Sequence, residues 1–454
     1  MPEISASPPE EQPALKKSLT VFDGVSILIG ITIGAGIFTT PSIIAGYQAS
    51  FYSIILFWIG AGLFVMIGGL IYAELGTRLP NTGGEYVYLS RAFGPYVGFI
   101  FGWAQLFIIR TSPGAGLSLA AAYYIGTLVD LGAKGETLVA LCIIFTLGTL
   151  NYIGVKRASM YQNISTLIKV GGLFLLAVAG LMMLGGQESQ LATKVPPTAT
   201  LGPIGNVGAL MMLVVFSYLG WDRVGYVAGE MKNPQRAIPL SMFIGISIII
   251  VLYVSTNLIY HHTLGMEGVR ASKTVASDVA TILFGPVGAA FVTLLAIFST
   301  TGSINGTTMA APRVYYAMAK DGLFFRWFNY VHPRFRTPSH AIIAHCVWAA
   351  VILLVRQNFE QIVAGMTFAI LIFYGMTTLA LFKMRREHIG DQQCFRMPFY
   401  PVLPAIYLIG IVSLIAVRGY FEWQNSLVDL AFIATGIPFA CFWCRKPGKR
   451  ELQR

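Results

Sequence analysis

The sequence predicts an all-α polytopic membrane protein of 12 transmembrane helices, with broken helices 1 and 6. Apolar residues fall in long uninterrupted blocks, basic residues gather on one side of those blocks, and glycines interrupt two blocks that lie five apart. Of 454 residues, 55% are hydrophobic and 11% charged, with mean hydropathy +0.67, and residues 24–73 hold no charged side chain. Crossing the hydrocarbon takes about 20 apolar residues. Twelve blocks qualify, near 22–46, 51–77, 95–129, 137–155, 160–185, 205–230, 237–261, 282–318, 339–355, 360–383, 399–418 and 424–444.

With a cytoplasmic N-terminus, 23 of the 31 Lys and Arg residues fall on the inner side, six outside, and Arg110 and Lys169 within helices. This bias predicts a multi-pass protein of the plasma (inner) membrane with both termini cytoplasmic. The net charge of +11 is spread over inner loops and a tail, which points to anionic membrane lipid as a partner and away from nucleic acid. Residues 1–18 read as a disordered polar tail, 19–445 as the helical unit and 446–454 as a basic tail. The five cysteines lie in helices or on the inner side, so no structural disulfide is expected, and Cys441 and Cys444 have CxxC spacing without a second ligand pair. The six histidines form no HxxxH or HExxH pattern, so neither metal nor cofactor is expected. No buried acid/base pair or activated nucleophile is legible, which argues against an enzyme.

The first block contains GITIGAGIF at 30–38, three glycines in seven positions. Glycine costs roughly 1 kcal/mol per helical residue relative to alanine, so Gly34, Ala35 and Gly36 mark the point of unwinding. Backbone freed at membrane depth must be satisfied by protein, water or ligand. The second block runs into a breaker-rich loop with Pro80 and Gly83-Gly84, where Glu74, Arg78 and Glu85 can pair to close the inner side or simply cap two helices. Arg110 lies about 15 residues into the third block, near the midplane at ~1.5 Å per residue, where carbonyls exposed near Pro113 are the expected acceptors and substrate contact the alternative. Lys169 lies roughly ten residues, or ~15 Å, into the fifth block. Its ammonium needs acceptors, which unwound helix 1 and the STTGS run from Ser299 to Ser303 in the eighth block can supply. The sixth block holds FSYLGWDRVG at 216–225, broken mid-helix at Gly220. Interruptions in the first and sixth helices predict two inverted repeats, helices 1–5 and 6–10, with helices 11 and 12 peripheral.

These motifs together resemble the amino acid, polyamine and organocation transporter superfamily, and within it the L-type amino-acid transporter branch. The resemblance spans nearly the whole chain and rests on IGAGIF at 33–38, YAELG at 72–76, GGEY at 83–86, IRTS at 109–112, the stretch 151–169, FSYLGW at 216–221 and FSTTG at 298–302. It implies the 5+5 inverted-repeat (LeuT-like) fold and sodium-independent, one-for-one exchange of neutral L-amino acids by alternating access. It further implies that the substrate carboxylate meets amides at Gly34, Ala35 and Gly36, and that the ammonium meets carbonyls of Thr32, Phe216, Ser217 and Leu219, with Phe216 closing over the substrate. Lys169 would stand where sodium-coupled relatives hold a cation, linking helix 5 to helix 1 and to Ser299 and Ser303 of helix 8. The chain departs from the pattern in three places. Ala35 replaces a common Ser, Leu219 the first Gly of a Gly-Gly pair, and Asp222 a neutral amide. Asp222 leaves open a cationic amino-acid or polyamine antiporter, or only a pairing with Arg223; proton symport and a non-transporting amino-acid sensor also remain open. The loop at 130–136 has no cysteine, so the disulfide-linked heavy subunit of the animal members is not expected, and the sequence leaves the oligomeric state unknown.

Overall fold

The computed structural model describes residues 19–444 except 35, 82, 127, 184–190, 192–193, 199–200, 273 and 357–358. Among these the chain is helical, with one isolated bridge between Leu19 and Met231 as its only strand-like pairing. Helix α1 (Val21–Thr32) starts at a capping box in which Thr20 N–H donates to Asp23 at 2.8 Å and Asp23 N–H to Thr20 Oγ1 at 3.4 Å. It ends at Ile33, whose ψ of 90° leaves the helical region, and α2 (Gly36–Tyr47) continues bent by 46°. The 28-residue α3 (Phe51–Arg78) follows, then the short α4 (Glu85–Phe93).

The third block is interrupted. Helix α5 (Pro95–Ala104) passes through a π-turn at Gln105–Ile109 before α6 (Thr111–Gly126). Pro113 lacks the N–H that would bond Ile109, and Thr111 Oγ1 instead donates to Leu106 O at 2.7 Å. Next come α7 (Gly132–Tyr152), α8 (Val155–Met183) and α9 (Gly202–Tyr218). The sixth block then breaks at Leu219-Gly220 and resumes as a 3-10 helix, Trp221–Glu230. Helices α10 (Pro234–Ala271) and α11 (Val275–Ala310) overrun their apolar blocks, because kinks at Gly265 and Gly285 start additional helical arms. The chain closes with α12 (Pro312–Lys320), α13 (Ser339–Arg356), α14 (Phe359–Arg386), α15 (Val402–Phe421), α16 (Trp423–Ala434) and α17 (Gly436–Cys444).

By length and composition nine helices among the described residues suit a membrane crossing, or ten with the bent α1/α2 pair taken as one, while the apolar part of α13 is short. The expected 12 spans thus find helices at each position, without twelve that meet that criterion singly. The broken elements cross: α1 packs on the 3-10 helix and α2 on α9, so the first half of one break meets the second half of the other, as antiparallel elements must. Around this crossing lie α3, α10, α11 and α8. The outer faces carry exposed apolar side chains such as Leu167, Val251 and Ile409, which is stable only against lipid.

Candidate functional site

Close approach at the crossing requires glycine twice. A Cβ on Gly36 would fall 2.8 Å from Ser217 Cα, and one on Gly220 2.9 Å from Thr32 N; Gly220 also holds φ at 129°. The hydroxyls of Thr40 and Ser217, 3.0 Å apart, tie α2 to α9. Tyr253 of α10 donates to Ser217 O at 2.9 Å and to Thr32 O at 3.2 Å. Two carbonyls expected for a substrate ammonium therefore already share a phenolic donor. No sequence signal marked Tyr253, one more aromatic in an apolar helix.

Lys169 spans the break. Its ammonium donates to Gly30 O at 2.7 Å, Ile33 O at 2.8 Å, Ser299 O at 3.1 Å and Ser303 Oγ at 3.3 Å. Ser299 and Ser303 also donate to Ile33 O, at 2.9 and 3.1 Å. The carbonyls that α1 cannot pair internally thus converge on one fully buried cation and two hydroxyls.

Beside the crossing is a narrow cavity, about 40 Å³ open to the centre of a water molecule. That is room for roughly three waters, so an amino acid needs its walls to part. Its lining includes Thr32, Gly34, Gly36, Phe216, Ser217 and Leu219, with Ile31, Leu117, Met366 and Ile370 giving an apolar wall. Ala35 lies outside the described residues.

Two arginines also line the cavity, Arg110 and Arg223. The acceptors of Arg110 are not the carbonyls expected near Pro113. It donates to Asp222 at 2.5 Å, Tyr226 Oη at 2.9 Å, Glu85 at 3.4 Å and the Gln105 side chain. Carboxylates win because a buried guanidinium needs an opposite charge for compensation, which a carbonyl dipole does not supply. Glu85 further accepts from Tyr72 and Tyr226, each at 2.5 Å. Glu85 therefore leaves the group foreseen with Glu74 and Arg78. In that group Glu74 instead receives a two-pronged contact from Arg385 at 2.6 and 2.7 Å, with Arg78 at 3.1 Å. Asp222 is thereby bound to Arg110, and its expected neighbour Arg223 stands off at 3.8 Å. Farther along the chain, burial holds the Asp321 carboxyl above its usual pKa against the Tyr86 hydroxyl, which donates to it at 2.7 Å.

A family model described as amino acid permease matches residues 19–439. The chain belongs to the amino acid permease family. Among its relatives are the serine/threonine exchanger SteT of Bacillus subtilis, 30% identical over 94% of this permease and 97% of the relative, and the b(0,+)-type amino acid transporter 1 of Homo sapiens, 30% identical over 94% and 88%. The cystine/glutamate transporter of Homo sapiens is 28% identical over 97% of the permease and 88% of the relative. This membership makes the protein a membrane carrier rather than an enzyme. Among the permease's described residues no cluster of His, Cys, Asp or Glu is arranged to hold a metal, and Cys142, Cys346, Cys394 and Cys441 are unpaired thiols.

Proposed function

We propose that this permease is a sodium-independent amino-acid exchanger working by alternating access, with neutral L-amino acids as substrates. The observation that carries the reading is the crossing itself: two broken helices share one cavity, and the Lys169 amino group fills the carbonyl cluster of the first break. The first turn of α2, at Gly36, offers free N–H donors and a partial positive charge to a substrate carboxylate. Carbonyls at Thr32 and Ser217 receive the ammonium once Tyr253 yields one of them. Phe216 and Met366 are the walls that part and reclose. The apolar wall with Leu219 suits small neutral side chains. A cationic amino acid or polyamine has less support, since Asp222 is ion-paired and the charged groups lining the cavity are guanidiniums. Exchange is also the activity that the name of SteT states.

Both termini are assigned to the cytoplasm of the plasma membrane, and without a cysteine at 130–136 the exchanger works without a disulfide-linked subunit. Counterflow in proteoliposomes tests the reading: purified protein, vesicles loaded with one unlabelled amino acid each, and labelled alanine or leucine outside in sodium-free buffer. Entry only against a loaded substrate supports exchange. Entry into empty vesicles driven by a proton gradient replaces it with symport, and binding without any entry replaces it with a sensor.

A further inference from the structure

Arg223 is the guanidinium that the buried network leaves over. It is 4% exposed, lines the cavity together with Phe216, Ser217 and Leu219, and makes no hydrogen bond through its side chain among the described residues. Its contacts are Nε to Asp222 at 3.8 Å, beyond hydrogen-bond reach, and the face of Tyr226 at 5.9 Å. Asp222 does not serve it: its Oδ2, the oxygen 3.8 Å from Arg223, is engaged by Arg110 at 2.5 Å, and its Oδ1 makes no hydrogen bond to Arg223. Nor can Glu85, which is held by Tyr72, Tyr226 and Arg110. A buried charge without hydrogen-bonded partners is costly, and an anion entering the cavity would relieve that cost. The planar fork of arginine fits a carboxylate with two parallel bonds.

Building on the proposed exchange, we infer that Arg223 is a specificity determinant that receives an anionic group on the substrate side chain, so that the permease carries acidic amino acids of aspartate or glutamate size as well as neutral ones. Position separates this role from that of the α-carboxylate receptor. The α-carboxylate is assigned to the amides at the start of α2, whereas Arg223 follows the other break, three residues past Gly220 and in the cavity lining shared with Leu219, the part of the cavity that the proposed reading gives to the substrate side chain. Leu219 limits the length of that side chain.

The test is the counterflow assay with vesicles loaded with serine, alanine, aspartate or glutamate, run on the natural protein, Arg223→Gln and Arg223→Lys. The natural protein is expected to exchange labelled aspartate or glutamate. In Arg223→Gln the ratio of acidic to neutral kcat/KM should fall at least about thirty-fold, as for a buried charge pair stripped of one partner, and Arg223→Lys should restore part of it. Neutral exchange by the natural protein without any acidic exchange overturns the inference while leaving the exchanger reading intact. An unchanged ratio in Arg223→Gln, or an equal loss for all substrates, also overturns it, the latter by showing a structural or α-carboxylate role. No exchange of any amino acid by the natural protein overturns both.

Discussion

Replacing Lys169 by methionine keeps all but the last heavy atom of the side chain and removes the charge, so the cost can be worked out atom by atom. Ile33 O retains Ser299 Oγ at 2.9 Å and Ser303 Oγ at 3.1 Å. Gly30 O retains only Ser303 Oγ at 3.5 Å. The net loss is therefore one buried carbonyl left nearly unpaired, about 1–3 kcal/mol. Lys169→Ala adds a cavity on top, for a total of about 3–8 kcal/mol. Because the ammonium joins α8 to both the end of α1 and α11, the loss should fall on the conformation that closes the break. If all of it appears in the transport barrier, counterflow slows roughly five- to 150-fold in Lys169→Met. The assays are counterflow and thermal unfolding of the purified protein in detergent. Wild-type exchange together with a wild-type unfolding temperature in Lys169→Met would refute the reasoning, since the carbonyls would then have needed no cation.

Other substitutions test the remaining contacts. Gly36→Ala should abolish counterflow, because its Cβ would meet the Ser217 backbone at 2.8 Å rather than a movable side-chain end; active protein would show that α2 and α9 can separate without cost. Leu219→Gly should extend the substrate panel to larger side chains, and an unchanged panel in competition uptake would remove Leu219 from the substrate's path. Asp222→Asn should cost about 3–5 kcal/mol by breaking a buried pair with Arg110, read as a fall in unfolding temperature; normal stability would mean that Glu85 alone suffices for Arg110. Tyr253→Phe should lose about 1–3 kcal/mol as the carbonyls of Thr32 and Ser217 give up their shared donor, measured in the same unfolding assay.

Much of this architecture is legible in the sequence because it depends on local chemistry. Long apolar blocks must be helices in lipid, glycine triplets must weaken one of them, and counting residues at 1.5 Å each gives the depth of Lys169. The meeting of Ser299 and Ser303 with Lys169 is implied by the family resemblance, whereas the position of the breaks and their spacing of five helices follow from those rules. Azimuth and partnership do not. Nothing local distinguishes a carbonyl near Pro113 from a carboxylate on a distant helix as the acceptor of Arg110, and Glu85 is 25 residues away from it in sequence. The neighbours Asp222 and Arg223 look like a pair on paper, yet folding gives the acid to Arg110 and leaves Arg223 facing the cavity. The amino-acid sequence by itself determined the helices, their breaks and the depth of each charge, since these depend on composition and rise per residue. Only the tertiary structure decided which charges neutralise one another and which remains for a ligand, because that depends on which faces of distant helices meet.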